Sequence, residues 1–130
     1  MHRLFKHDEQ GAAEPTYPAA YPGVIAVTAT DAGDQIYEHA NRGSYITISA
    51  PGVDVSTPGG TTGQYVSGTS YACAIVTGAV ALTLSINRDV APKNVQARLC
   101  ETAKDLGAPG NDPVFGCGLL QMNDILSAAR

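Results

Sequence analysis

The sequence predicts an α/β fold: a mostly parallel sheet around a buried central helix starting at Ser70, with surface helices towards the C-terminus. Three observations predict it. Val24-Ile25-Ala26-Val27-Thr28-Ala29 is a short, continuous apolar run rich in β-branched residues, the pattern of a strand buried on both faces. The run from Cys73 to Ile86 is apolar on nearly all sides, so its helix is expected to be buried rather than amphipathic. Val95, Leu99 and Ala103 recur at i, i+4 and i+8, the stripe of a surface helix.

The remaining elements follow in order. Residues 11–22 are rich in Ala and Pro, and Pro15, Pro18 and Pro22 exclude regular helix there. After the strand at 24–29, a loop is expected over 31–43. A second strand is expected at Tyr45–Ile48, ending at the Ala50-Pro51-Gly52 turn, and a third at Val53–Ser56. Pro58–Gly63 has hairpin character, and Gln64–Ser67 leads as a strand into Gly68-Thr69-Ser70. From Ser70 to Leu84 the helix would run roughly 22 Å. Asn87-Arg88-Asp89 breaks it, and Pro92 opens the amphipathic helix, which Leu106-Gly107 stops. A turn-rich loop over 108–113 and a short helix, Asp124–Arg130 capped by Asn123, close the chain.

Composition narrows the function. In 130 residues, 44% hydrophobic and 15% charged, there is room for one globular core. The net charge of −4 comes with no basic stripe, which argues against a nucleic-acid partner. The strongly apolar run 72–84 is shorter than a bilayer span and carries Thr77 and Gly78, so it reads as core and no membrane role is expected. Residues 1–8 show no apolar signal-peptide core. Of the three cysteines, Cys73 reads as a small core residue; Cys100 and Cys117 either pair in an oxidising compartment or stay two thiols.

The chemistry concentrates at Ser67-Gly68-Thr69-Ser70-Tyr71-Ala72. A strand, a tight turn and a helix would set Ser70 at the helix mouth, where free N–H groups and the positive dipole end favour a developing oxyanion. Gly-Thr-Ser before a helix is also an ordinary cap, in which the serine oxygen satisfies a free N–H. The whole window, Gly68-Thr69-Ser70-Tyr71-Ala72-Cys73-Ala74-Ile75-Val76-Thr77-Gly78, resembles the nucleophile motif of subtilisin-like serine proteases, the S8 peptidases. Ala74 and Ile75 replace that motif's usual Pro-His, which touches helix entry and not the nucleophile. Tyr17-Pro18-Ala19-Ala20-Tyr21-Pro22-Gly23-Val24-Ile25-Ala26-Val27, Ala40-Asn41-Arg42-Gly43, Ala50-Pro51-Gly52-Val53-Asp54-Val55 and Gly116-Cys117-Gly118-Leu119-Leu120 with Asn123 resemble further family blocks in family order.

The resemblance implies a partial subtilisin-like fold: residues 11–130 as the C-terminal half of a peptidase domain, and residues 1–10 as a segment foreign to the family. It implies Ser70 as the catalytic nucleophile of an endopeptidase acting on protein or peptide substrates. The family's Asp and His precede the serine, the His by about 150 residues. Only 69 residues precede Ser70, so the pattern leaves both outside this sequence and the chain inert unless an N-terminal half completes it. The family's oxyanion-donating Asn falls on Glu9, whose carboxylate would repel an oxyanion. Losing that donor costs about two to three orders of magnitude in turnover, a figure that comes from this same family. Removing the N-terminal half should also expose a sheet edge and one side of the central helix. A protein-binding scaffold without catalysis is the alternative, and a self-sufficient hydrolase pairing Ser70 with His39 or His7 is a third reading. His39 itself reads as a solvated surface residue. The parent family is secreted or periplasmic. Calcium is implied by the resemblance alone; Asn111 and Asp112 read as turn residues, and no other cofactor is expected.

Overall fold

The computed structural model describes the backbone of residues 3–6 and all of residues 14–58 and 63–128. Three parallel strands lie in the order β1 (Arg3–Lys6), β2 (Val24–Thr30), β3 (Ile48–Pro51). β2 is central, and every residue from Ile25 to Thr30 is buried. Its uncharged run, apolar from Val24 to Val27 and small or β-branched from Thr28 to Thr30, suits a strand covered on both faces, because no face is left to water. The register runs Val27↔Ile48 to Thr30↔Pro51 on one side and Arg3↔Val24 to Lys6↔Val27 on the other. The charged N-terminal residues, expected to lie outside the body, therefore contribute a strand. Main-chain pairing asks no apolar pattern of the strand that adds on, which is why side-chain chemistry hid it. The strand expected at Tyr45–Ile48 lies three residues later. Ile46 and Thr47 are buried, but they approach the sheet as a loop before the ladder begins at Ile48.

α1 (Thr69–Ile86) packs across the sheet. Ala72, Val76 and Ala79 meet Ile25, Val27, Ala29, Ile48 and Ala50 in one cluster, which also takes in Val95, Leu99, Leu120 and Ile125. The helix is not buried as the sequence predicts. Its buried residues are Thr69, Ala72, Val76, Ala79 and Thr83, a single stripe, and only 28% of the helix is enclosed. On the opposite side Ala74, Gly78, Ala81 and Ser85 are exposed, and beside the stripe, towards the helix's C-terminal end, Leu82 is 46% and Ile86 44% exposed. An all-round apolar helix needs cover on two sides, and the described residues cover one. By length and composition its 18 residues also meet the minimum for a membrane span, where the stretch 72–84 had fallen short. The core helix of a globular fold passes the same test.

α2 (Pro92–Glu101) has Pro at its first turn and buries Val95 and Leu99. It ends at Glu101, before Ala103 and well before Leu106-Gly107, at the point where Cys100 is disulfide-bonded to Cys117. α3 (Met122–Ala128) starts earlier than expected, so Asn123 lies inside it rather than capping it; residues 129–130 lie outside the described part. The far edge of β3 is occupied. Cys117 N–H donates to the Thr47 carbonyl, Ser49 N–H to Gly118 and Leu120 N–H to Ser49, all at 2.9 Å. A Cβ on Gly116 or Gly118 would stand 2.4 Å from the Thr47 backbone or 2.3 Å from the Lys104 carbonyl, so the segment fits this slot only with glycine at both places. β4 (Val55–Thr57) and β5 (Gln64–Val66) form a separate antiparallel pair from Val55↔Val66 to Thr57↔Gln64.

Candidate active site

The turn carrying Ser70 is built between β5 and α1 and pressed against the end of β3. Gly52 closes β3's turn, and its carbonyl accepts the Gly68 N–H at 2.7 Å. A Cβ at Gly52 would stand 2.7 Å from Ala29 Cβ, 2.9 Å from the Gly68 carbonyl oxygen and 3.1 Å from Ala72 Cβ. The approach is open to glycine alone. Ser67 Oγ accepts the Asp54 N–H at 2.9 Å and ties the same turn to the start of β4.

Gly68 is the helix N-cap, at φ 154° and ψ 152°, a backbone region essentially reserved for glycine. It supplies no side-chain cap, and no acidic residue sits in the first turn. The positive end of α1 is therefore left without a neutralising carboxylate of its own turn. Ser70 is the second residue of α1 and is exposed. The cap position belongs to Gly68, so Ser70 is not the capping serine of the ordinary reading. Its backbone N–H has no partner within the helix. Among the described residues its hydroxyl makes no hydrogen bond. Thr69, beside it, is fully buried.

This arrangement presents a hydroxyl to solvent beside a backbone N–H and a helix dipole, two of the parts that acyl transfer uses. Among the described residues no general base is hydrogen-bonded to Ser70. His39 contacts Glu38 at 3.1 Å and meets Tyr37 edge-on at 5.4 Å between ring centres, with 60% of its side chain exposed. It is the solvated surface residue that the sequence predicts, and no hydrogen bond joins it to Ser70. His7 and Glu9 lie outside the described residues. Cys73, one turn beyond Ser70, packs against the core. Burial pushes its thiol above the ordinary value, partly opposed by a hydrogen bond with Thr77, which makes it a poor nucleophile.

One carboxylate oxygen of Asp112 is engaged by its own turn. Its Oδ1 accepts the Val114 and Phe115 N–H groups at 2.7 and 2.8 Å, and a Cβ on Gly107 would stand 2.8 Å from Oδ2. Asp112 is thus a turn residue through Oδ1, while its Oδ2 is buried with no hydrogen-bond partner among the described residues. Among the described residues no cluster of three metal-binding side chains occurs. One feature escaped the sequence: a cavity of about 260 Å³ beside the turn, lined by Asp31, Ile36, Tyr37, Glu38 and Val53. Its residues come from two separate segments and carry no local motif.

The Subtilase family model matches residues 6–118. The chain is 41% identical over 108 residues to subtilisin E of Bacillus subtilis, and 40% over 105 residues to the thermostable alkaline protease of Halalkalibacterium halodurans. These alignments cover 82% and 80% of this chain but 27% and 28% of those proteins. Fervidolysin from Fervidobacterium pennivorans, a keratinolytic enzyme related to subtilisin, superposes with TM-score 0.76 at 32% identity, over 85% of this chain and 20% of that one. A lanthipeptide protease shares the fold, with TM-score 0.84 at 22% identity over 98% of this chain and 50% of its own. The chain thus spans about a quarter of the length of these sequence relatives.

Proposed function

Because the chain belongs to the subtilase family of serine peptidases, we propose that it is the nucleophile-bearing half of a subtilisin-like endopeptidase, inert alone and competent when a segment carrying the Asp–His pair completes it. One observation carries this reading: Ser70 stands exposed at the second position of α1 while Gly68 takes the cap. In the completed enzyme a histidine within hydrogen-bond reach takes the Ser70 Oγ proton as Oγ adds to the scissile carbonyl. The oxyanion that forms lies at the α1 N-terminus and accepts the Ser70 backbone N–H. The histidine then returns its proton to the leaving amine, and water cleaves the Ser70 acyl ester. Substrates are proteins or peptides, as for the family.

The open side of α1 supports completion by another segment, and it equally supports a second reading, a scaffold that binds a protein without catalysis. A fluorophosphonate separates the two. The chain alone should take no label. Mixed with a polypeptide spanning the upstream half of a related catalytic domain, it should be labelled on Ser70, with Ser70→Ala as the blank. Labelling of the isolated chain would show that the base lies within it. Tight binding of that polypeptide by both Ser70→Ala and the unmodified chain, with no labelling and no peptide cleavage in any mixture, would leave the scaffold reading standing.

A further inference from the structure

We infer that the cavity beside the nucleophile turn is a subsite for a cationic side chain, lysine or arginine, of the peptide presented to Ser70. Its role in substrate choice rests on the endopeptidase reading; its occupancy does not.

The cavity opens at the carboxyl ends of β2 and β3, where parallel sheets bind their ligands. Its walls are held by hydrogen bonds of the main chain and of the Asp31 carboxylate. Asp31 follows the last residue of β2, and its Oδ1 accepts the N–H groups of Gly33 and Gln35 at 2.8 and 2.9 Å. Ile36 bridges back to Thr30, and Tyr37 N–H donates to the Ala29 carbonyl at 2.8 Å. Val53 N–H donates to the Thr30 carbonyl at 3.2 Å. Val53 follows Gly52, whose carbonyl holds Gly68, so the cavity wall and the Ser70 turn are one continuous piece of backbone.

The lining has two characters. Ile36, Tyr37 and Val53 offer apolar surface and an aromatic ring, while Asp31 and Glu38 bring carboxylates. A long cation matches both: its methylene stem lies on the apolar wall while its head meets a carboxylate or the ring. An acidic side chain would meet like charge. A neutral apolar one would fill the wall and leave the carboxylates unused. Among the described residues no basic side chain lines the cavity. The neighbouring cation, Lys104, is engaged by Asp34 at 2.6 Å. His39 touches Glu38, but the two side chains are 60% and 82% exposed, and a contact so open yields readily to another partner.

The test has two arms. In the first, the isolated chain is titrated with peptides that differ only in lysine against norleucine, and amide shifts are read by NMR. The lysine peptide should move the amides of residues 31, 37 and 53 and bind about fivefold tighter, the equivalent of one surface ion pair. Asp31→Asn retains an oxygen for Gly33 and Gln35, so its fold should persist; with Glu38→Gln it should abolish the difference. In the second, the completed enzyme is given a library in which each position carries lysine or norleucine. One position should show a preference of similar size, lost in the double variant. Equal shifts from both peptides, or a preference that survives Asp31→Asn/Glu38→Gln, overturns the inference. If the completed chain cleaves nothing, the endopeptidase reading fails and the first arm still decides the cavity.

Discussion

One added methyl group should act with opposite sign at two glycines of this chain. At Gly52 the new Cβ would meet Ala29 Cβ, the Gly68 carbonyl oxygen and Ala72 Cβ at 2.7, 2.9 and 3.1 Å. The first two are closer than Cβ atoms stand to such neighbours, and none of the three is the free end of a flexible side chain. Relief requires β2, the nucleophile turn and α1 to separate, an overpacking cost of about 1–3 kcal/mol. At Gly78 nothing lies within 4 Å of the added Cβ, and the residue sits inside α1. There alanine gains its helix propensity, about 0.8–1 kcal/mol at an exposed helical site. Denaturant unfolding of Gly52→Ala and Gly78→Ala beside the unmodified chain measures both. The two midpoints should move apart, Gly52→Ala falling and Gly78→Ala rising, with a combined gap of about 2–4 kcal/mol. Shifts in the same direction, or a Gly52→Ala change under about 0.5 kcal/mol, would refute the close packing of the β3 turn on the nucleophile turn.

Three further outcomes are expected. The Cys100–Cys117 bond joins residues 17 apart, so Cys100→Ala/Cys117→Ala should lose about 3 kcal/mol in denaturant unfolding, with reduction of the unmodified chain giving the same shift. Leu82→Lys, at an exposed position of α1, should leave the unfolding midpoint within about 0.5 kcal/mol while reducing concentration-dependent association in sedimentation velocity. Burial holds the Cys73 thiol protonated, so alkylation by iodoacetamide should be slow at pH 7 and rise roughly tenfold per pH unit up to its raised pKa; a fast reaction at pH 7 would contradict the packing.

What could be read from sequence was whatever a local pattern determines. β2 announces itself because a strand covered on both faces is built of apolar and β-branched residues with no charge to interrupt it, and Val95 and Leu99 mark α2 through helical spacing. The nucleophile turn was legible because Gly68, Thr69 and Ser70 adjoin one another. The cavity was not: Asp31, Tyr37 and Val53 meet only because β2 pairs with β3. The Cys100–Cys117 choice was open for the same reason, since Cys117 reaches Cys100 by lying along β3, with its N–H on Thr47. The apolar pattern of α1 states how much cover the helix requires, and says nothing of how much the chain supplies. β1 was missed because a short edge strand enters through its backbone.

The sheet described above is asymmetric in a way that limits its stoichiometry. Backbone from Gly116 to Leu120 stoppers one margin, at β3, while no described strand lies outside β1 at the other. Among the described residues this three-stranded sheet leaves one margin open, at β1. A strand-bearing partner would pair there, and once that margin is filled the described residues leave no second margin of this sheet to continue the ladder. Two copies meeting margin to margin would close on each other and stop at a pair. Fibrillar growth through this sheet would first require the stopper to be pulled away, and the Cys100–Cys117 bond anchors it to α2.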